Sequence, residues 1–145
     1  MDAFDRLSPA LRYQIVNGLG WTGMRPVQEQ ATHAILDGAN CVILAPTAGG
    51  KTEAALLPLL SRIDTEDYDP VSVLYVAPIR ALLNNQEGRL RALTGLVGRS
   101  AGKWHGDVGQ AARKRMLRSR PDVLAITPES LEAMLLSTRV PPEHM

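Results

Sequence analysis

Three apolar runs constrain this chain more than any other feature: Val42-Ile43-Leu44, Val73-Leu74-Tyr75-Val76 and Val123-Leu124-Ala125-Ile126. None alternates with polar residues. Each therefore predicts a strand covered on both faces, and such strands belong to parallel sheets. Segments with helical spacing lie between them. Strands alternating with helices predict an α/β fold. The expected strands cover 41–45, 71–76 and 123–127, with a shorter one near 103–105. Two helices come first. Ser8 and Pro9 open one as N-cap and first helical residue, and the other runs from Pro26 to the stop at Gly38. Later helices are expected over 51–63, 80–93 and 108–119, and from Pro128 onward. Pro58 is expected to kink the first of these, and Asp107 to cap the third. The division is a helical segment over 1–38 and an α/β region over 39–145.

The first apolar run leads into Ala45-Pro46-Thr47-Ala48-Gly49-Gly50-Lys51-Thr52. A strand that enters a glycine turn and leaves as a helix is a phosphate-binding loop. Its backbone N–H groups point at phosphate oxygens, and the helix N-terminus adds positive partial charge. Lys51 reaches the β- and γ-phosphates, and the Thr52 hydroxyl takes a place on Mg²⁺. Residues 46–52 are the expected cradle for a nucleoside triphosphate. Glu53 follows it, and a solvent-facing helical position is the plain expectation there. The common pattern has Gly where this chain has Ala45.

The remaining chemistry is sparse. No His/Cys cluster has metal-ligand spacing, and no Ser/His/Asp or Cys/His arrangement suggests a nucleophile. The single cysteine, Cys41, heads the first expected strand and is expected to be a small core residue. No apolar stretch is long enough to span a membrane. The acidic start, Met1-Asp2-Ala3-Phe4-Asp5, lacks a signal-peptide pattern, so the expected compartment is the cytoplasm. Net charge is +1 but unevenly spread. Between Arg89 and Arg120 there are nine basic residues and one acid, Asp107. Two readings fit this stretch: a basic face for a polyanion, or a solvated helix face.

Taken together, the phosphate loop, Ala77-Pro78-Ile79-Arg80-Ala81-Leu82-Leu83-Asn84-Asn85-Gln86 and Thr127-Pro128-Glu129-Ser130-Leu131 resemble superfamily 2 helicases of the DEAD/DEAH-box kind. They resemble motifs I, Ia and Ib, in that order. Thr127 to Leu131 is most similar to the large helicase-related group. The resemblance spans about residues 20–137. It implies a P-loop NTPase of RecA-like fold, with a parallel sheet and flanking helices, here incomplete and preceded by a short helical segment. It implies ATP and Mg²⁺ as cofactors and a single strand of DNA or RNA as partner.

Gly20-Trp21-Thr22-Gly23-Met24-Arg25-Pro26-Val27-Gln28 resembles the Q motif of the same superfamily. The resemblance puts Arg25 and Gln28 at the nucleotide. A glutamine amide donates and accepts at once, which suits adenine N6 and N7. The alternative is an exposed helical glutamine. The resemblance also puts Pro78, Arg80, Ala81, Thr127, Pro128 and Glu129 on the strand backbone. An arginine pairs with phosphate, and a helix N-terminus donates to one. Pro128-Glu129 equally reads as ordinary helix initiation, and Gln86 as a surface residue. Gly106-Asp107 resembles a turn that approaches the strand between these motifs. Trp104 is open to two readings: stacking on a base, or packing.

Hydrolysis needs one carboxylate on Mg²⁺ and another to activate water. The family supplies both from an Asp-Glu pair after motif Ib, and no such pair follows Thr127 here. The chain thus reads as the front part of a larger protein. The rest of the helicase, with its second RecA-like domain, is the expected partner. Two further classes stay open: a binding module without turnover, and a small P-loop kinase.

Overall fold

The computed structural model describes residues 1–46, 50–78, 80–104 and 109–137. It divides into two compact units, Met1–Asp67 and Tyr68–Met145.

The first unit is helical among its described residues. Its elements are α1 (Ala3–Arg6), α2 (Pro9–Asn17), α3 (Pro26–Leu36) and α4 (Lys51–Glu66). Proline at the first helical position starts α2 and α3, where a missing N–H loses no bond. Ser8 caps α2, its hydroxyl accepting from the Leu11 N–H at 3.3 Å. The Ser8 N–H donates to Ser61 Oγ at 2.8 Å and so ties the start of α2 to α4. α3 packs along α4. The α4 stripe Leu56, Leu57, Leu60 and Ile63 is buried, as are Leu11 and Ile15 of α2. Arg6 joins α1 to the end of α3, donating to His33 Nδ1 and to Asp37. α4 runs through the buried Pro58 without interruption to Glu66, three residues beyond the expected end.

The expected strand over 41–45 does not form. Residues 41–46 are irregular, and Val42 and Leu44 are 85% and 84% exposed. Cys41 is exposed too, which corrects its expected core position. The reason is physical. An apolar run specifies burial, but a strand exists only where a neighbour completes its ladder, and the described sheet pairs other segments.

That sheet lies in the second unit. Its elements are β1 (Val73–Val76), α5 (Arg80–Gly95), β2 (Ala101–Trp104), α6 (Gln110–Arg118), β3 (Val123–Ile126) and α7 (Pro128–Leu135). The strand order is β1-β3-β2, and both pairs are parallel. Val76 and Trp104 both stand opposite Ile126, so the three strands end level. The continuous-apolar reading holds best for β3, which is buried throughout. β1 lies at one side of the sheet and leaves Leu74 and Val76 exposed. Leu124, Ile126 and Met134 form a core to which Val71, Trp104, Met116 and Leu131 add.

Asp122 fixes where the strands begin. Its carbonyl accepts from the N–H groups of Ser72 and Val73 at 2.9 and 3.0 Å. Its carboxylate accepts from the Ser100 N–H at 3.0 Å and lies 3.7 Å from Arg99. Gly109, not Asp107, is the N-cap of α6.

Candidate nucleotide site and nucleic-acid edge

Gly50 is the N-cap of α4 and adopts a left-handed conformation, with φ at +75°. Its carbonyl accepts the first bond of the helix, from the Ala54 N–H at 2.9 Å. The first-turn N–H groups of a helix have no partner inside it, so this end presents donors and a positive partial charge. Lys51 is exposed and Thr52 half-buried at the same end.

Gln28 sits beside this end. It is 2% exposed, which overturns its reading as an exposed helical residue. Its Oε1 accepts from the Arg25 N–H at 2.9 Å, one half of a capping box on α3. Its Nε2 lies 3.5 Å from the Gly50 carbonyl, a long hydrogen bond. A β-carbon on Gly50 would meet that Nε2 at 2.5 Å, so any other residue there must displace the amide. Gln28 therefore joins the start of α3 to the start of α4.

Glu53 is 8% exposed, contrary to the expected solvent-facing position. Its Oε2 would lie 3.7 Å from a β-carbon on Gly50. The signal was present in the spacing. Glu53, Leu57 and Leu60 fall at i, i+4 and i+7, one face of a helix.

These residues fit a triphosphate at the start of α4: a helix terminus, a lysine, a hydroxyl, and a glycine that lets the backbone come close. Among the described residues, no group of three or more His, Cys, Asp or Glu is placed to hold a metal ion by itself. No described helix is long and apolar enough to cross a membrane. Pro46 is exposed. Thr47, Ala48, Gly49, Gly106 and Asp107, and the side chain of Arg80, lie outside the described residues.

In the second unit, the described residues singled out for strand binding gather where the strands end. Ala77 follows β1, and its N–H donates to the Ile126 carbonyl at 3.1 Å. Pro78 comes next, and Ala81 lies in the first turn of α5. Thr127 follows β3, is 5% exposed and caps α7, its Oγ1 accepting from the Ser130 N–H at 3.3 Å. Pro128 and Glu129 are exposed in the first turn of α7, so they do start a helix. Ligands of open α/β sheets collect at this carboxyl edge. Trp104 ends β2, packs against the core, and carries the Arg113 guanidinium 5.5 Å from its ring centroid. Packing is thus the reading that fits Trp104. Gln86 is half-buried, with its Oε1 enclosed.

Comparison with known proteins points the same way. The family model of DEAD/DEAH box helicases matches residues 25–144. The "Lhr helicase/ probable uracil glycosylase" of Mycolicibacterium smegmatis is 38% identical over 127 residues, a match that covers 77% of this chain and 8% of that protein. The structure of Mycobacterium smegmatis helicase Lhr bound to ssDNA and AMP-PNP superposes with a TM-score of 0.82 at 33% identity. That match covers 94% of this chain and 19% of the other. The DEAD-box helicase Mss116, bound to ssRNA and UDP-BeF, gives a TM-score of 0.76 at 26% identity, covering 89% of this chain and 27% of its own. The chain thus spans a small part of the length of these relatives. Its parallel sheet with flanking helices matches their RecA-like domains. The chain belongs to the DEAD/DEAH box helicase family.

Proposed function

We propose that this chain is the ATP- and strand-binding front part of an ATP-dependent helicase or translocase. The observation that carries the reading is the seat of Gln28 against Gly50, at the start of α4. It puts a buried side-chain amide beside the helix end proposed for the phosphates, which supports Gln28 as the residue that would read adenine. Lys51 and the N–H groups of residues 47–52 hold the triphosphate, and Arg25 and Glu53 line the same end. The Thr52 hydroxyl would hold Mg²⁺ there, and the ion would supply charge neutralisation on the triphosphate. The single strand lies along Pro78, Arg80, Ala81, Thr127, Pro128 and Glu129, with Gly106 and Asp107 beside it. The relatives solved with ssDNA and AMP-PNP, and with ssRNA, support both ligand classes.

The helical segment 1–38 carries the adenine-reading residues, and 39–145 is part of the RecA-like domain. No Asp-Glu pair follows Thr127, so the 145 residues bind ATP without turning it over. Turnover requires the rest of the helicase, in the cytoplasm. The test is ATP hydrolysis by this chain with and without a single-stranded oligonucleotide, alongside ATP binding. Binding without turnover is expected. Turnover abolished by Lys51→Ala would show that a catalytic carboxylate comes from elsewhere in the 145 residues.

A further inference from the structure

One strongly charged surface is left unused by that reading. The helix α6 contains Arg113, Lys114, Arg115 and Arg118 and no acid. Its inner side is committed: Met116 packs on the sheet core and Arg113 lies over Trp104. Lys114, Arg115 and Arg118 are exposed. They fall at i, i+1 and i+4, so Lys114 and Arg115 both neighbour Arg118 on one face. Like charges so spaced destabilise a helix.

Three other cations of this unit are paired with carboxylates. Lys103 and Arg91 each meet Glu87 at 2.8 Å, and Arg99 meets Asp122. Among the described residues no carboxylate pairs with Lys114, Arg115 or Arg118. Among the described residues the face therefore keeps a positive field that a polyanion would relieve.

We propose that Lys114, Arg115 and Arg118 bind the sugar–phosphate backbone of a nucleic-acid duplex adjoining the single strand. The inference rests on the strand-binding reading and extends it to a second nucleic-acid segment. α6 begins after β2 at the carboxyl edge and returns toward the start of β3. From Gln110 to Arg118 it covers about 12 Å, so its far end leads away from that edge. The exposed residues of α6, Gln110, Ala111, Lys114, Arg115, Leu117 and Arg118, include no acid and no aromatic ring. Single-strand grooves add aromatic rings on which bases stack. Here the nearby ring, Trp104, is covered by Arg113. Cations without a stacking platform suit a duplex, which offers dense phosphate charge and no free base faces.

The test compares a fluorescent single-stranded DNA with the same strand carrying a duplex at one end, titrated over a range of salt. Wild type is expected to bind the tailed duplex more tightly. The variant Lys114→Gln/Arg115→Gln/Arg118→Gln is expected to lose that preference while keeping single-strand affinity. Its salt slope on the tailed duplex should fall by about 0.9 per lost phosphate contact, up to about 3 in all. All three side chains are exposed, and circular dichroism checks that α6 persists. An unchanged slope on the tailed duplex overturns the proposal. So does an equal loss on both probes, which would place the single strand on α6. A wild-type chain that binds neither probe overturns the strand reading as well.

Discussion

Nε2 of Gln28 lies 3.5 Å from the carbonyl oxygen of Gly50, and a β-carbon on Gly50 would approach it to 2.5 Å. The two residues are far apart in sequence. Their contact makes the left-handed turn at Gly50 and the seat of the Gln28 amide one feature.

Gly50→Ala strains that feature twice. A side chain at φ +75° costs about 1–2 kcal/mol. The added carbon also pushes the Gln28 amide from its seat. The urea midpoint should fall, and preference for ATP over GTP should weaken. Adding Gln28→Ala should recover part of the stability but none of the preference. Unchanged selectivity in Gly50→Ala would separate Gln28 from adenine.

Thr127→Ala removes the side-chain cap of α7 and should cost about 1 kcal/mol. Thr127→Ser keeps the oxygen and should recover most of it. Denaturation midpoints of the two variants decide the matter. Equal losses would mean that the methyl group of this buried residue matters more than its hydroxyl.

Val42 and Leu44 are apolar but exposed, whereas Leu57 is wholly buried. Val42→Thr or Leu44→Gln should change stability by less than about 0.5 kcal/mol. Leu57→Ala should cost about 2–5 kcal/mol. A large loss at Val42 would put residues 41–45 inside a packed sheet after all.

Asp37 accepts a hydrogen bond from Arg6, which holds its carboxyl below its ordinary value of 3.8. The pair therefore contributes above that value and is lost as pH falls through the lowered one. Asp37→Asn should leave stability less sensitive to acid below about pH 4. Matching acid profiles for variant and wild type would mean that the exposed pair contributes nothing measurable.

The sequence was most legible where one residue type carries one mechanical role. Pro9, Pro26 and Pro128 each stand first in their helices, where the fixed φ suits the helix and the missing N–H loses no bond. The apolar run 123–126 lies in the middle of the sheet, buried on both faces. The similar run 42–44 misled because composition records an affinity for burial but not which neighbour satisfies it. Glu53 misled because its charge outweighed its spacing. The Gln28 to Gly50 contact was not readable at all, since it depends on how α3 lies along α4. The short α1 was also missed, because four residues are too few to show a period.

The most direct measurement is calorimetric titration of this chain with ATP and Mg²⁺, beside Lys51→Ala. Lys51 is exposed at the start of α4, so its loss should leave the fold intact. Saturable binding by wild type, weakened about tenfold to a hundredfold or lost in the variant, is the predicted result. Equal affinity in the two proteins would contradict the nucleotide site at Gly50, Lys51 and Thr52.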